Sequence, residues 1–184
     1  MKTSSRIATI TSVLLLSIGC DRAFKQIARV YLQDSLPVSL LHDCIRLQYA
    51  ENRGIMLSIG AALSPAARFW IFIVAVGLLL TVMLIYALWS KEMDRGQTMA
   101  WSLIVSGGLG NLLDRVMQNG VVVDYISIGV GVIRTAVFNL ADLLVFAGVV
   151  LLLIHGTKKG GTAARGGPPE VKDSNPGPTS STSL

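Results

Sequence analysis

Two aspartates stand in apolar company. Asp124 lies between Val121-Val122-Val123 and Tyr125-Ile126, and Asp142 is embedded in Leu140-Ala141-Asp142-Leu143-Leu144. A carboxylate withdrawn from water has its charged form disfavoured, and two such acids can share one proton, one acting as base and the other as acid. Other polar groups gather near them in the sequence. Asn111, Asp114 and Arg115 follow one apolar run, Asn139 precedes Asp142 by three residues, and Asp21 and Lys25 are four apart in another run. The i,i+3 and i,i+4 spacings put each pair on one face of a helix.

Plainer readings exist for several of these groups. Asp21 with Lys25 makes an intrahelical ion pair, and Asp114 beside Arg115 makes a local one. Asn52 in Glu51-Asn52-Arg53-Gly54 fits a simple turn residue. Asp124 and Asp142 are harder to dismiss. An ionisable group at the centre of a membrane helix costs at least about 2.5–3.5 kcal/mol, so it calls for a reason.

The elements that must position these residues are apolar spans. Of the 184 residues, 52% are hydrophobic and 15% charged, with mean hydropathy +0.59. About 20 apolar residues cross a bilayer core. The pattern predicts helices over about Ile7–Tyr31, Ala67–Trp89, Gln97–Val116 and Ala136–His155. Between the first two, residues 32–66 form a loop in which Ile45, Leu47 and Tyr49 alternate with polar residues, a strand signature. Asp124 is expected in the loop between the last two helices. With four spans, the first helix ends, the third ends and the fourth begins on one side. Asp21, Lys25, Asn111, Arg115, Asp124, Asn139 and Asp142 then converge at one interface. Ser106-Gly107-Gly108-Leu109-Gly110 reads as a close-packing stripe, because small residues four apart let helices approach.

Residues 1–156 are expected to form one membrane domain. Residues 157–184 are rich in Gly, Pro, Ser and Thr and read as a disordered cytoplasmic tail. The net charge of +5 suits anionic lipid head groups, and without a basic stripe of interleaved aromatics nucleic acid is set aside. Lys158-Lys159 favours cytoplasmic termini. Cys20 and Cys44 are too few for a disulfide framework, with Cys20 read as a small packing residue, and His42 and His155 lack metal-ligand spacing. Ser17-Ile18-Gly19-Cys20 superficially suggests a cleaved lipoprotein leader. Ser17 occupies a position where a large aliphatic residue is expected, so an uncleaved first span is preferred.

Five segments in order carry a resemblance. Asp21-Arg22-Ala23-Phe24-Lys25, Asn52-Arg53-Gly54, Gly107 to Arg115, Val122-Val123-Asp124-Tyr125 and Phe138-Asn139-Leu140-Ala141-Asp142 together resemble the motif series of the lipoprotein signal peptidase (signal peptidase II) family. The resemblance implies an all-α membrane protein of four transmembrane helices with a small extracytoplasmic β-cradle. It implies an aspartic endopeptidase without metal or cofactor. That enzyme cleaves diacylglyceryl-modified prolipoproteins just before the lipidated cysteine. By the same resemblance, Asp124 and Asp142 are the catalytic pair. Asn52, Gly54, Asn111, Arg115, Asn139 and Ala141 line the site, and Asp21, Lys25 and Asp114 give structural support. The expected setting is the bacterial cytoplasmic (inner) membrane, with both termini cytoplasmic and the site near the extracytoplasmic face. The expected partners are the prolipoprotein and membrane phospholipid, the chain acting as a monomer.

One departure stands out. The family usually places small residues and then an aromatic after the Asn-x-Gly turn, whereas this chain has Ile55-Met56-Leu57. Altered substrate or inhibitor preference is expected. The rival readings are a small transporter, whose buried carboxylates relay protons or bind cations, and a catalytically silent membrane scaffold. The transporter accounts for the acids but not for the Asn-x-x-Asp-Arg and Phe-Asn-x-Ala-Asp segments together.

Overall fold

The computed structural model describes residues 2–55, 59–90 and 93–163, with side-chain surroundings up to His155. It is mostly helical. Helix α1 is Thr3–Leu32, α2 is Pro65–Trp89, α3 is Arg95–Met117 and α4 is Leu140–Ala163. Strands β1 (Val38–Leu40), β2 (Ile45–Asn52), β3 (Val122–Val130) and β4 (Ile133–Arg134) form an antiparallel sheet in the order β1-β2-β3-β4.

Local chemistry explains the starts. At α2, Ser64 Oγ accepts from Ala67 N at 3.2 Å, and Pro65 opens the helix, where its missing N–H costs nothing. Residues Phe69–Ala75 of α2 form a π-helical stretch, a wider winding that often falls near functional sites. At α3, Asp94 and Gln97 cap reciprocally: Gln97 N donates to Asp94 Oδ1 at 2.8 Å and Asp94 N donates to Gln97 Oε1 at 3.2 Å.

The distribution of residues is that of a bundle facing lipid. Leu15, Leu78, Phe146 and Leu153 point outward, while Thr98, Ser102, Ser106, Asp114 and Asn139 are buried. Helices α1 and α2 are each long and apolar enough to cross a membrane, and the described apolar stretch of α4, Leu140–His155, is shorter. The small-residue stripe on α3 does what its pattern implies. A Cβ added at Gly107 would lie 2.3 Å from Ala141 O on α4, and one at Gly108 would lie 2.5 Å from Leu80 on α2. At Gly107 the neighbour is backbone, so only glycine permits the approach, whereas at Gly108 the Leu80 side chain would have to shift.

Four sequence expectations are corrected. Asp124 lies on strand β3, not in a loop. The last helix begins at Leu140 rather than Ala136, because the preceding segment is tied to β3. Phe138 N donates to Ile126 O at 2.8 Å, and Tyr125 N and Ile126 N donate to Phe138 O at 3.0 and 2.9 Å. That helix also continues to Ala163, past the expected end at His155, and the rest of the expected tail, residues 164–184, lies outside the described residues. Cys20 faces outward instead of packing in the core. Met56 and Leu57 also lie outside the described residues.

Candidate active site

Asp142 is held by the start of α4. Asn139 is the residue before the first turn, and its Oδ1 accepts from Asp142 N at 3.0 Å while Asp142 Oδ2 accepts from Asn139 N at 3.1 Å. This reciprocal pair is a capping box built from Asn and Asp. The three-residue spacing therefore marks a helix start, not a shared helical face. The other free donors of the first turn are also met. Leu140 N donates to Tyr125 Oη at 3.3 Å, and Ala141 N donates to Asp21 Oδ1 at 3.0 Å. Asp142 and Asp21 thus put negative charge at the positive end of the helix dipole. The remaining oxygen of Asp142, Oδ1, accepts from Asn111 Nδ2 at 2.8 Å.

Asp124 is held by the sheet. It pairs with Ala50 across β2, so Asn52, two residues along, is its diagonal neighbour on the same face. Asn52 Nδ2 donates to Asp124 Oδ2 at 3.1 Å, and Asn139 Nδ2 donates to Asp124 Oδ1 at 2.6 Å. Asn139 therefore joins the two carboxylates, by its amide to Asp124 and by its backbone to Asp142. Asn52 also turns the chain: its Oδ1 accepts from Gly54 N at 2.9 Å. The Gly54 carbonyl then accepts from Arg115 Nη2 at 2.5 Å, and Asn111 O accepts from Arg115 Nη1 at 3.2 Å. Arg115 also lies over the Phe72 ring, 5.7 Å from its centre.

Beneath the pair lies a buried ionic cluster. Lys25 Nζ is 2.7 Å from Asp21 Oδ2 and 2.8 Å from Asp114 Oδ2, and it donates to Asn111 Oδ1 at 3.0 Å. Neither of those two carboxylate oxygens has a well-directed hydrogen bond, so the ammonium holds them by charge. Asp114 is ion-paired to Arg22 at 2.7 Å and accepts from Gln118 Nε2 at 3.1 Å. The local Asp114–Arg115 pair is thereby corrected: Asp114 turns to α1, and Arg115 turns to the Gly54 loop. The Asp21–Lys25 pair forms as its spacing implies. Arg22, Gln118 and Tyr125 join the network without having been singled out from the sequence. Arg22 and Tyr125 sit within quoted segments, but only the tertiary arrangement reveals their partners.

A cavity of about 460 Å³ opens beside the site, walled by Phe69, Phe72 and Ile73 of α2 and by Arg115 and Val116 of α3. Burial is the main cause that pushes the Asp124 carboxyl up to about 6, with the neighbouring Asp142 charge adding to it. Burial likewise pushes the Tyr125 phenol up to about 12, so it stays neutral. Asp124, Asp142, Asn52, Gly54, Asn111, Arg115, Asn139 and Ala141 are thus brought into one connected network, with Asp21, Lys25 and Asp114 directly below. Such a network can hold one proton between two carboxylates.

Solved structures place the fold first. Two structures of bacterial membrane enzymes superpose with TM-scores of 0.74 and 0.69, at 23% and 22% identity, covering 88% and 81% of this chain and 94% and 92% of theirs. The chain shares the fold of those two structures. The sequence comparison is narrower. The profile of the signal peptidase (SPase) II family matches residues 13–158, and the chain belongs to that family. Its relatives include the lipoprotein signal peptidases of Caldicellulosiruptor bescii, 37% identical over 81% of this chain and 91% of that protein, and of Clostridioides difficile, 36% identical over 78% and 90%. That of Pelodictyon phaeoclathratiforme is 32% identical over 80% and 89%. The chain is accordingly a peptidase.

Proposed function

We propose that the chain removes signal peptides from diacylglyceryl-modified prolipoproteins, cutting just before the lipidated cysteine with Asp124 and Asp142 as the catalytic pair. The observation that carries this reading is the shared Asn139, which ties the buried Asp124 and the half-buried Asp142 into one unit. Asp124 is the acid, since burial keeps its proton up to about pH 6. Asp142 is the base, held at the positive end of the helix start and met by two N–H donors.

A water between them gives a proton to Asp142 as its oxygen attacks the carbonyl carbon of the residue before the cysteine. Asp124 gives its proton to the carbonyl oxygen, forming a diol. Asp124 then recovers a proton from the diol while Asp142 passes its own to the leaving amine, and the C–N bond breaks. Both carboxyl groups end as they began. The route draws on two carboxylates and one water, with no metal or cofactor. Arg115 and the Gly54 turn offer the peptide backbone a polar wall. The apolar side of the cavity, Phe69, Phe72 and Ile73, suits an acyl chain.

We place four spans in the bacterial cytoplasmic membrane, with both termini cytoplasmic, the sheet and site toward the extracytoplasmic face, and a monomer surrounded by phospholipid. The shorter apolar helix Leu140–His155 and the helix Arg95–Met117 complete the count, with Thr98, Ser102, Ser106, Asp114 and Arg115 of the latter buried. The test is hydrolysis of a diacylglyceryl-modified precursor by the purified protein in detergent. Release of the signal peptide with the new N-terminus at the lipidated cysteine supports the reading. No cleavage by well-folded protein overturns it.

A further inference from the structure

Lys25 touches neither carboxylate of the pair, yet its position decides how one of them is held. An asparagine amide has two ends of similar shape and opposite chemistry. Asn111 meets Lys25 Nζ at 3.0 Å and Asn139 Nδ2 at 3.1 Å with its Oδ1, and Asp142 Oδ1 at 2.8 Å with its Nδ2. An ammonium has donors and no acceptor, so the Asn111 oxygen must face it, and the Asn139 amide N–H bonded to that oxygen reinforces the same orientation. The Asn111 nitrogen must then face Asp142. Were the amide reversed, its oxygen would oppose Asp142 Oδ1, and only a proton between them would relieve the repulsion.

We propose that Lys25 is a positioning residue for the carboxylate pair: by donating to Asn111 Oδ1 it fixes the amide so that Asp142 is met by a donor and serves as the ionised member. This rests on the peptidase reading and deepens it. Lys25 is buried, 3% exposed, and Asp21 and Asp114 balance its charge. Charge balance explains why the lysine is tolerated. It does not explain the third contact, to a neutral amide that leads to the site. The charged and titratable groups around it are Asp21, Arg22 and Arg29 on α1, Asp114 and Arg115 on α3, Asp124 and Tyr125 on β3, and Asp142 on α4. On β2, Tyr49 faces Arg29 and Glu51.

A charge-neutral replacement separates positioning from electrostatics. Asp21→Asn with Lys25→Met removes one charge of each sign, and the amide oxygen that replaces the Asp21 carboxylate can still accept from Ala141 N. For this double variant we expect kcat to fall about tenfold to a hundredfold with KM within about twofold. The acid limb of the pH–rate profile should move up, because the ionised member has lost a donor. Asn111→Leu, which leaves every charge intact, should give the same displaced limb, and combining the changes should add little.

A merely structural role predicts a lower melting temperature and a smaller active fraction, with an unchanged profile per active molecule. That result overturns the proposal. If the Lys25 variants do not insert, Asn111→Leu decides alone, an unmoved acid limb being fatal. Failure of the unmutated protein to cleave would instead sink the peptidase reading, so the two failures are distinct.

Discussion

At the residue scale the proposed chemistry depends on two side chains that must exchange protons. Asn nearly preserves the shape of Asp but cannot carry a proton. Asp124→Asn and Asp142→Asn are each expected to lower cleavage by about 10²–10⁴-fold, with the double variant little worse than either. Assays on inserted, folded protein check this, and substantial cleavage by either variant contradicts the pairing. Asp114→Asn should behave differently: it leaves an ionic cluster uncompensated, so yield and thermal stability drop while activity per folded molecule remains measurable. The raised pKa of Asp124 fixes a sign for pH. Above about 6 Asp124 loses the proton it must donate, so kcat/KM should decline along the alkaline limb by about tenfold per unit. The same group's contribution to folding is most favourable below the ordinary carboxylate value and is lost as pH rises through about 6. A profile that keeps rising above about pH 8 would contradict the assignment of Asp124 as the acid. That Asp124 and Asp142 are the acids to look at was legible in the sequence, because an acid amid valines and leucines is costly; in the structure Asn139 bonds to both. Which partners each acid takes was not, since Asn52 reaches Asp124 across 72 positions of chain.

At the element scale, a strand and a helix start hold the pair. Asn139→Ala would remove the cap of α4 and the amide that reaches Asp124 together. It should cost about 1 kcal/mol of stability and most of the activity, whereas Asn139→Ser should restore the cap and little turnover. Melting curves read beside rates check this, and equal activity in the two variants would show that the amide does nothing beyond capping. Gly107 faces a backbone carbonyl of α4, so Gly107→Val should push the helices apart and inactivate the enzyme. The hydrophobic periodicity exposed the helices and the alternation at Ile45, Leu47 and Tyr49 exposed one strand. The start of α4 was misplaced because Ala136 to Phe138 are apolar and extend the helical pattern, while their backbone belongs to the sheet edge. The signal that marks the true start was present in Asn139 and Asp142, whose spacing is that of a reciprocal cap.

At the scale of the whole molecule, membrane placement can be read with native chemistry. Cys44 sits exposed in the turn before β2. In a Cys20→Ser background, an impermeant maleimide should label Cys44 in intact cells, while a cysteine placed at Gly160 should label only after permeabilisation. Labelling of both from one side would rule out an even number of spans. Composition alone made the bilayer legible; the expected count of four was less so, because polar residues on the third helix dilute its hydropathy while serving the interior. The site's parts are also spread along the chain: Asp21 meets the Ala141 amide across 120 positions, and Asp142 arrives in the last helix. On the proposed four-span reading, the first three helices enter the bilayer during synthesis without a complete pair. A newly made chain would then stay chemically silent beside the translocating substrates it will later process, and become a protease only when its own last segment is delivered.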